Sequence, residues 1–190
     1  HTEWQGDHYV SRTFYRDMTE DAILEDISRG HEAILEVTGQ AAMGFRTPHF
    51  GTFQDAKQLQ LVHSILGRLG YRYSTSTLPS LALAEGPIVE RGGIYEIPLS
   101  GSLSAPTTVI DSWTYLEDRK NLILGEEYFS RVAETLQFFL DESIPGVLAL
   151  YADPSHVIQQ DPFWRTMDLL KSAGITSLTG KDVVGLVDRA

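Results

Sequence analysis

The chain has 190 residues, no cysteine and a net charge of −11 with histidines neutral. The missing cysteine excludes disulfides, thiolate metal ligands and a cysteine nucleophile, and the acidity argues against a phosphate-backbone partner such as nucleic acid. No apolar run approaches the ~18 residues of a membrane helix, and a composition of 42% hydrophobic and 22% charged residues fits a single globular domain over 1–190.

The sequence begins at His1 with no signal-like apolar stretch behind it, so the chain is expected to be processed or to lack its natural beginning. Residues 1–18 mix polar and aromatic side chains without a period and read as loop. Thr19 suits a helix N-cap, with Glu20 and Asp21 in the first turn. Ile23, Leu24, Ile27, Ile34 and Leu35 then recur at helical spacing up to a stop at Gly39, which predicts a helix over 20–38. Residues 41–45 read as a short buried strand. A second amphipathic helix is expected over 55–69, stopped by Gly70. Residues 71–76 alternate as a strand, 78–93 read as a long loop rich in Pro, Gly and Ala, and 94–99 as a strand ending at Pro98. Within 100–125 the one strand candidate is 107–110. Helices are expected over 126–141, 161–173 and 181–187, with Thr179 capping the last, and strands over 147–152 and 175–178.

Helices alternating with short apolar strands predict an α/β fold with a mostly parallel sheet, either an incomplete (β/α) barrel or an open doubly wound sheet. In such folds ligands sit beyond the carboxyl ends of the strands. That rule selects Arg46, Thr47, Pro48 and His49 after 41–45, Ser74 to Thr77 around the end of 71–76, and Asp153, Pro154, Ser155 and His156 after 147–152. Each has a plain structural alternative: an ion-pairing arginine, a packing histidine, an aspartate that starts a turn. His1 and His8, with Glu3 and Asp7 nearby, could hold a divalent metal through imidazole nitrogens and an oxygen. Seven residues on a helix is ~10 Å, too far for one ion, so only a loop would join them. His31 and His63 fall within amphipathic helices and read as packing or surface residues.

The order of segments resembles the polysaccharide deacetylases, the NodB-homology carbohydrate esterases. The stretch Glu36-Val37-Thr38-Gly39-Gln40 leading into Gly44-Phe45-Arg46-Thr47-Pro48 carries the likeness most specifically. It is joined by Leu69-Gly70-Tyr71-Arg72-Tyr73-Ser74, by Ile94-Tyr95-Glu96-Ile97-Pro98, and by His1-Thr2 as the start of a histidine motif. The sequence departs from the family at several points. No paired-aspartate motif precedes His1, Gln5 stands where the second histidine is expected, and Asp153 stands where the late Leu-x-His motif has its histidine. Asp111 and Trp113 match the Asp/Trp motif loosely, and residues 100–145 match weakly.

The resemblance implies a distorted, incomplete (β/α) barrel and metal-dependent removal of N-acetyl groups from a carbohydrate polymer. It implies a divalent ion, most naturally Zn²⁺, held by His1, His8 and an aspartate outside this chain, with a second such aspartate as general base. Arg46 would hold that base and the backbone N–H at His49 would face the oxyanion. His156 would serve as the acid, with Asp153 beside it. Pro48, Phe50, Trp113 and Leu150 would contact the substrate. An extracytoplasmic setting goes with the family, and the composition is equally compatible with the cytoplasm. The departures keep two other readings open: an amide hydrolase of the same fold without this metal site, and an inactive barrel that binds a glycan or a protein.

Overall fold

The computed structural model describes residues 2–7, 9–11 and 13–189. It is a mixed α/β chain that divides into two compact units. One unit comprises residues 1–77, 89–97 and 179–190, and the other 78–88 and 98–178. The sheets are open; among the described residues no sheet closes on itself, so the expected barrel is not what the ladders form.

In the first unit, residues 1–18 are more ordered than their aperiodic sequence suggests. β1 (Thr2–Trp4) and β2 (Tyr9–Ser11) form an antiparallel hairpin, followed by a 3-10 turn at Tyr15–Asp17. Helix α1 (Glu20–Thr38) starts where Thr19 caps the N–H of Ala22 and stops at Gly39, whose φ of +67° is a left-handed position that glycine adopts without a Cβ penalty. Only the first half of its apolar stripe is used. Ile23 and Ile27 are buried, whereas Ile34 and Leu35 are exposed. Helix α2 (Ala56–Arg68) opens with a capping box between Asp55 and Gln58 and buries Leu59, Val62, Ile65 and Leu66.

These helices accompany a four-stranded sheet of order β3-β4-β6-β5. β3 (Gly44–Phe45), β4 (Tyr73–Ser74) and β6 (Ile94–Glu96) are parallel, and β5 (Val89–Arg91) closes one edge as an antiparallel hairpin with β6. The stretch 78–93, expected as loop, thus contributes β5. The core is Tyr15, Ile23, Ile27, Phe53, Val62, Ile65, Leu66, Tyr71 and Ile94. Helix α7 (Gly180–Val187) has its own capping box at Thr179 and Asp182. Asp188 at its end accepts from Arg72 of the 71–76 segment at 2.8 Å and from the Tyr95 hydroxyl at 3.0 Å, which ties the helix to the sheet.

The second unit is built on helix α4 (Glu126–Asp141), packed against helix α6 (Asp161–Ser172). A helix α3 (Pro79–Glu85) stands where loop was expected, begun by a proline at its first position, where a missing N–H costs nothing. β7 (Leu116–Asp118) and β8 (Ile123–Leu124) form a small hairpin. The core is Ile110, Tyr115, Leu124, Tyr128, Val132 and Val157.

Two expected strands are present only as extended chain. Residues 147–152 form one parallel bridge, Tyr151 to Asp111, and 175–178 form no ladder. Residues 107–110 likewise contribute a single bridge, Val109 to Gly101. Apolar composition sends a segment to the interior, but a ladder needs a neighbour at ~4.8 Å along its whole length. No helix among the described residues is long and apolar enough to cross a membrane.

Candidate functional site

Each unit gathers polar side chains at the carboxyl ends of its extended segments. In the first unit, the parallel register brings the residues after β3, β4 and β6 side by side. Arg46 Nε donates to the carbonyl of Thr75 at 3.1 Å and to its hydroxyl at 2.9 Å. The next N–H, that of Thr47, donates to Ser76 Oγ at 2.9 Å, and Gln54 donates to the Ser76 carbonyl at 2.7 Å. Beneath them lies Glu96, with no exposed surface. Its Oε1 accepts from the N–H of Ser76 at 2.7 Å, the N–H of Thr77 at 3.0 Å and the Thr77 hydroxyl at 2.9 Å. Its Oε2 lies 2.9 Å from Nε2 of buried His63 on α2. Burial alone would raise the Glu96 pKa. Hydrogen bonds from His63, Ser74 and Thr77 and the nearby imidazole outweigh it and hold the carboxyl below its ordinary range.

His63 is therefore more than a packing residue. It and Glu96 form a buried hydrogen-bonded pair, and Glu96 in turn fixes the loop after β4. The signal was in the strand: Ile94 and Glu96 share one face by alternation, so a carboxylate occupies an inward position next to Ile94.

His49 has a left-handed backbone, φ 48° and ψ 48°, and its ring lies 4.5 Å from Phe14. Its carbonyl accepts from Thr52 through both N–H and hydroxyl, each at 2.9 Å. Pro48 is half-buried. The side chain of Phe50 lies outside the described residues. Thr47 is buried, and its hydroxyl has no partner among the described residues. An unpaired buried hydroxyl costs about 1–3 kcal/mol. Thr47→Val is therefore expected to keep the fold and raise the stability of this unit by about 1 kcal/mol in urea unfolding; a loss of stability would mean that the hydroxyl is satisfied in solution.

In the second unit, residues 149–151 run beside 110–112. The Ser100 N–H donates to Ala149 O at 2.9 Å, Tyr151 N–H to Ile110 O at 3.3 Å and Ser112 N–H to Tyr151 O at 3.1 Å. Asp111 and Tyr151 are parallel partners, so both segments leave their bridge in the same direction. Ser112 and Asp153 consequently meet: the Asp153 N–H donates to Ser112 Oγ at 2.9 Å. A short helix α5 (Pro154–Val157) then turns the chain back, and His156 Nδ1 lies 3.1 Å from the same Ser112 Oγ. Trp113, 48% exposed, holds its ring 5.6 Å from the His156 ring, and Arg119 lies 5.0 Å over the indole.

The Asp153 carboxylate caps α5, accepting from the N–H and hydroxyl of Ser155 at 3.1 and 2.7 Å. Leu150 packs on the unit's core. Trp113, Leu150, Asp153 and His156 thus belong to one unit, and Arg46, Pro48 and His49 to the other. Sequence reasoning passed over Ser112, which joins Asp153 and His156. Its position between Asp111 and Trp113 was the available cue.

His1 and His8 lie outside the described residues. Among the described residues no three His, Asp or Glu side chains are grouped as a metal set.

No protein-family model matches the chain, and no curated protein matches it. Among solved structures it is similar to the crystal structure of a "putative polysaccharide deacetylase" from Mycobacterium smegmatis, with a TM-score of 0.51 and 17% sequence identity. The likeness covers 88% of this chain and 63% of that one, so this chain spans under two thirds of its length. At this identity the likeness is one of fold.

Proposed function

We propose that the protein is a deacetylase-like hydrolase whose substrate is an N-acetylated carbohydrate. The observation that supports this most is the fold shared with the Mycobacterium smegmatis structure over most of the chain. The grouping of Ser112, Trp113 and His156 where two parallel segments end agrees with it. Trp113 offers an exposed indole against which the apolar face of a sugar or its acetyl group can pack. His156 is the proposed polar contact beside it. In the other unit, taken by itself, the N–H of His49 has no acceptor among the described residues and is a proposed hydrogen-bond donor to a ligand oxygen. Arg46 is proposed to hold the general base.

Metal dependence is a separate part of the proposal. A divalent ion would polarise the acetyl carbonyl and make its bound water more acidic, with His1 and His8 proposed as imidazole ligands.

The test is acetate release from chitin oligosaccharides by the purified protein, before and after chelation and after Zn²⁺ is returned. Release that chelation abolishes and Zn²⁺ restores is the expected result. Release indifferent to chelation removes the metal and keeps the hydrolase. No release in any arm overturns the hydrolase reading. Should the oligosaccharides still quench Trp fluorescence, a glycan-binding module remains, a reading favoured by the exposed Trp113.

A further inference from the structure

The polar contacts around Ser112 determine which nitrogen of His156 carries the proton. Ser112 has no exposed surface, so each of its hydroxyl's hydrogen-bonding groups needs a partner inside the protein. Its oxygen already accepts from the Asp153 N–H at 2.9 Å. The hydroxyl proton has one acceptor in reach among the described residues, His156 Nδ1 at 3.1 Å. With the proton on Nδ1 instead, the ring would donate to the serine oxygen and the buried hydroxyl proton would have nowhere to go. The satisfied arrangement is Asp153 N–H to Ser112 Oγ, and Ser112 O–H to Nδ1.

We infer that Ser112 is a positioning residue that fixes neutral His156 in the Nε2–H form and presents that N–H as a hydrogen-bond donor to an acceptor oxygen on a bound ligand. His156 is 8% exposed; its Nε2 has no protein partner among the described residues and is not one of the fully enclosed unpartnered atoms, so what little surface reaches the nitrogen is where an acceptor can approach. The neighbouring Trp113 ring limits how the imidazole can turn. In this form the ring cannot act as a base through Nε2, because its lone pair is on Nδ1 and committed to Ser112. The role is that of a neutral polarising donor, and no proton leaves the ring. The tautomer stands on geometry alone; only the identity of the acceptor, a sugar hydroxyl or acetyl oxygen, rests on the hydrolase reading.

The experiment is a long-range ¹H–¹⁵N correlation spectrum of the full chain labelled with ¹⁵N-histidine, at neutral pH. The His156 signals are assigned by their loss in His156→Gln. The expected wild-type pattern is a protonated Nε2 and an unprotonated Nδ1. Ser112→Ala is expected to let the Nδ1–H tautomer appear beside a remaining Nε2–H majority, and Ser112→Thr to restore the single form. A protonated Nδ1 in the wild type overturns the inference. So does an unchanged tautomer in a folded Ser112→Ala. If that variant does not fold, the wild-type spectrum alone still decides the tautomer. Absence of acetate release would leave this spectrum untouched, so failure of the hydrolase reading and failure of this inference are distinct results.

Discussion

Glu96→Ala is expected to destabilise the unit holding the parallel sheet by about 3–5 kcal/mol, because it leaves several buried donors unsatisfied at about 1–3 kcal/mol each. The carboxylate is fully buried and accepts from three donors of Ser76 and Thr77 while facing His63 at 2.9 Å. Its loss leaves two buried N–H groups and an imidazole without an acceptor, in a site too enclosed for bulk water to replace it. Urea unfolding read through a probe in this unit measures the cost. Glu96→Gln retains an acceptor and is expected to cost less. Paired with His63→Leu in a double-mutant cycle, the alanine variant should show strong coupling. Additive effects in that cycle would mean that the two side chains do not interact in solution.

The same group sets an acid limit. Its folded pKa is depressed from the ordinary 4.5, so the folded state binds this proton less well than the unfolded chain does. The stabilisation is complete above about pH 4.5 and is lost as pH falls through the depressed folded value. The acid limb of stability against pH should therefore be shallower in Glu96→Gln than in wild type. An identical limb in both would assign acid sensitivity to other carboxylates.

What the sequence made legible follows from the range of the interactions involved. The longer helices were readable almost to the residue, because their signals are local, whereas the short α3 and α5 were not read at all. Thr19 with Gly39 bounds Glu20–Thr38, and the expected 126–141 is the observed Glu126–Asp141. Strand lengths were not readable, because a ladder depends on a neighbour distant in sequence. Residues 41–45 and 71–76 pair over two residues each, and 175–178 over none. The hairpin in 1–18 is held by cross-strand pairing and has no apolar period to announce it.

The candidate sites divide in the same way. Arg46 and His156 could be picked out because strand ends attract function, but their partners come from 29 and 44 residues away. Asp153 shows the opposite outcome. The simple reading of an aspartate before a proline, that it starts a turn, describes what its carboxylate does here.

Gly101→Ala is expected to have the second largest effect, on the other unit. A Cβ at this position would lie 2.1 Å from the carbonyl oxygen of Pro106 and 3.0 Å from that of Ala105. Both are backbone atoms, so no side-chain rotation relieves the clash, and the chain between Gly101 and Val109 must open. That turn is held by the Gly101–Val109 bridge and by the Ile110 N–H donating to Ser100 O at 2.9 Å. A cost of about 2–3 kcal/mol follows from overpacking alone. The effect should travel further, because Ser100 also bonds Ala149 through its N–H and its hydroxyl. Moving Ser100 therefore shifts 149–151 and 110–112 together, the two segments whose ends hold Ser112 and His156. Thermal unfolding measures the stability term, and the His156 tautomer spectrum measures the transmission. If the variant is destabilised but its tautomer is unchanged, the Ser112–His156 contact survives displacement of the turn. If neither measurement moves, the close approach of Gly101 to Pro106 is absent in solution.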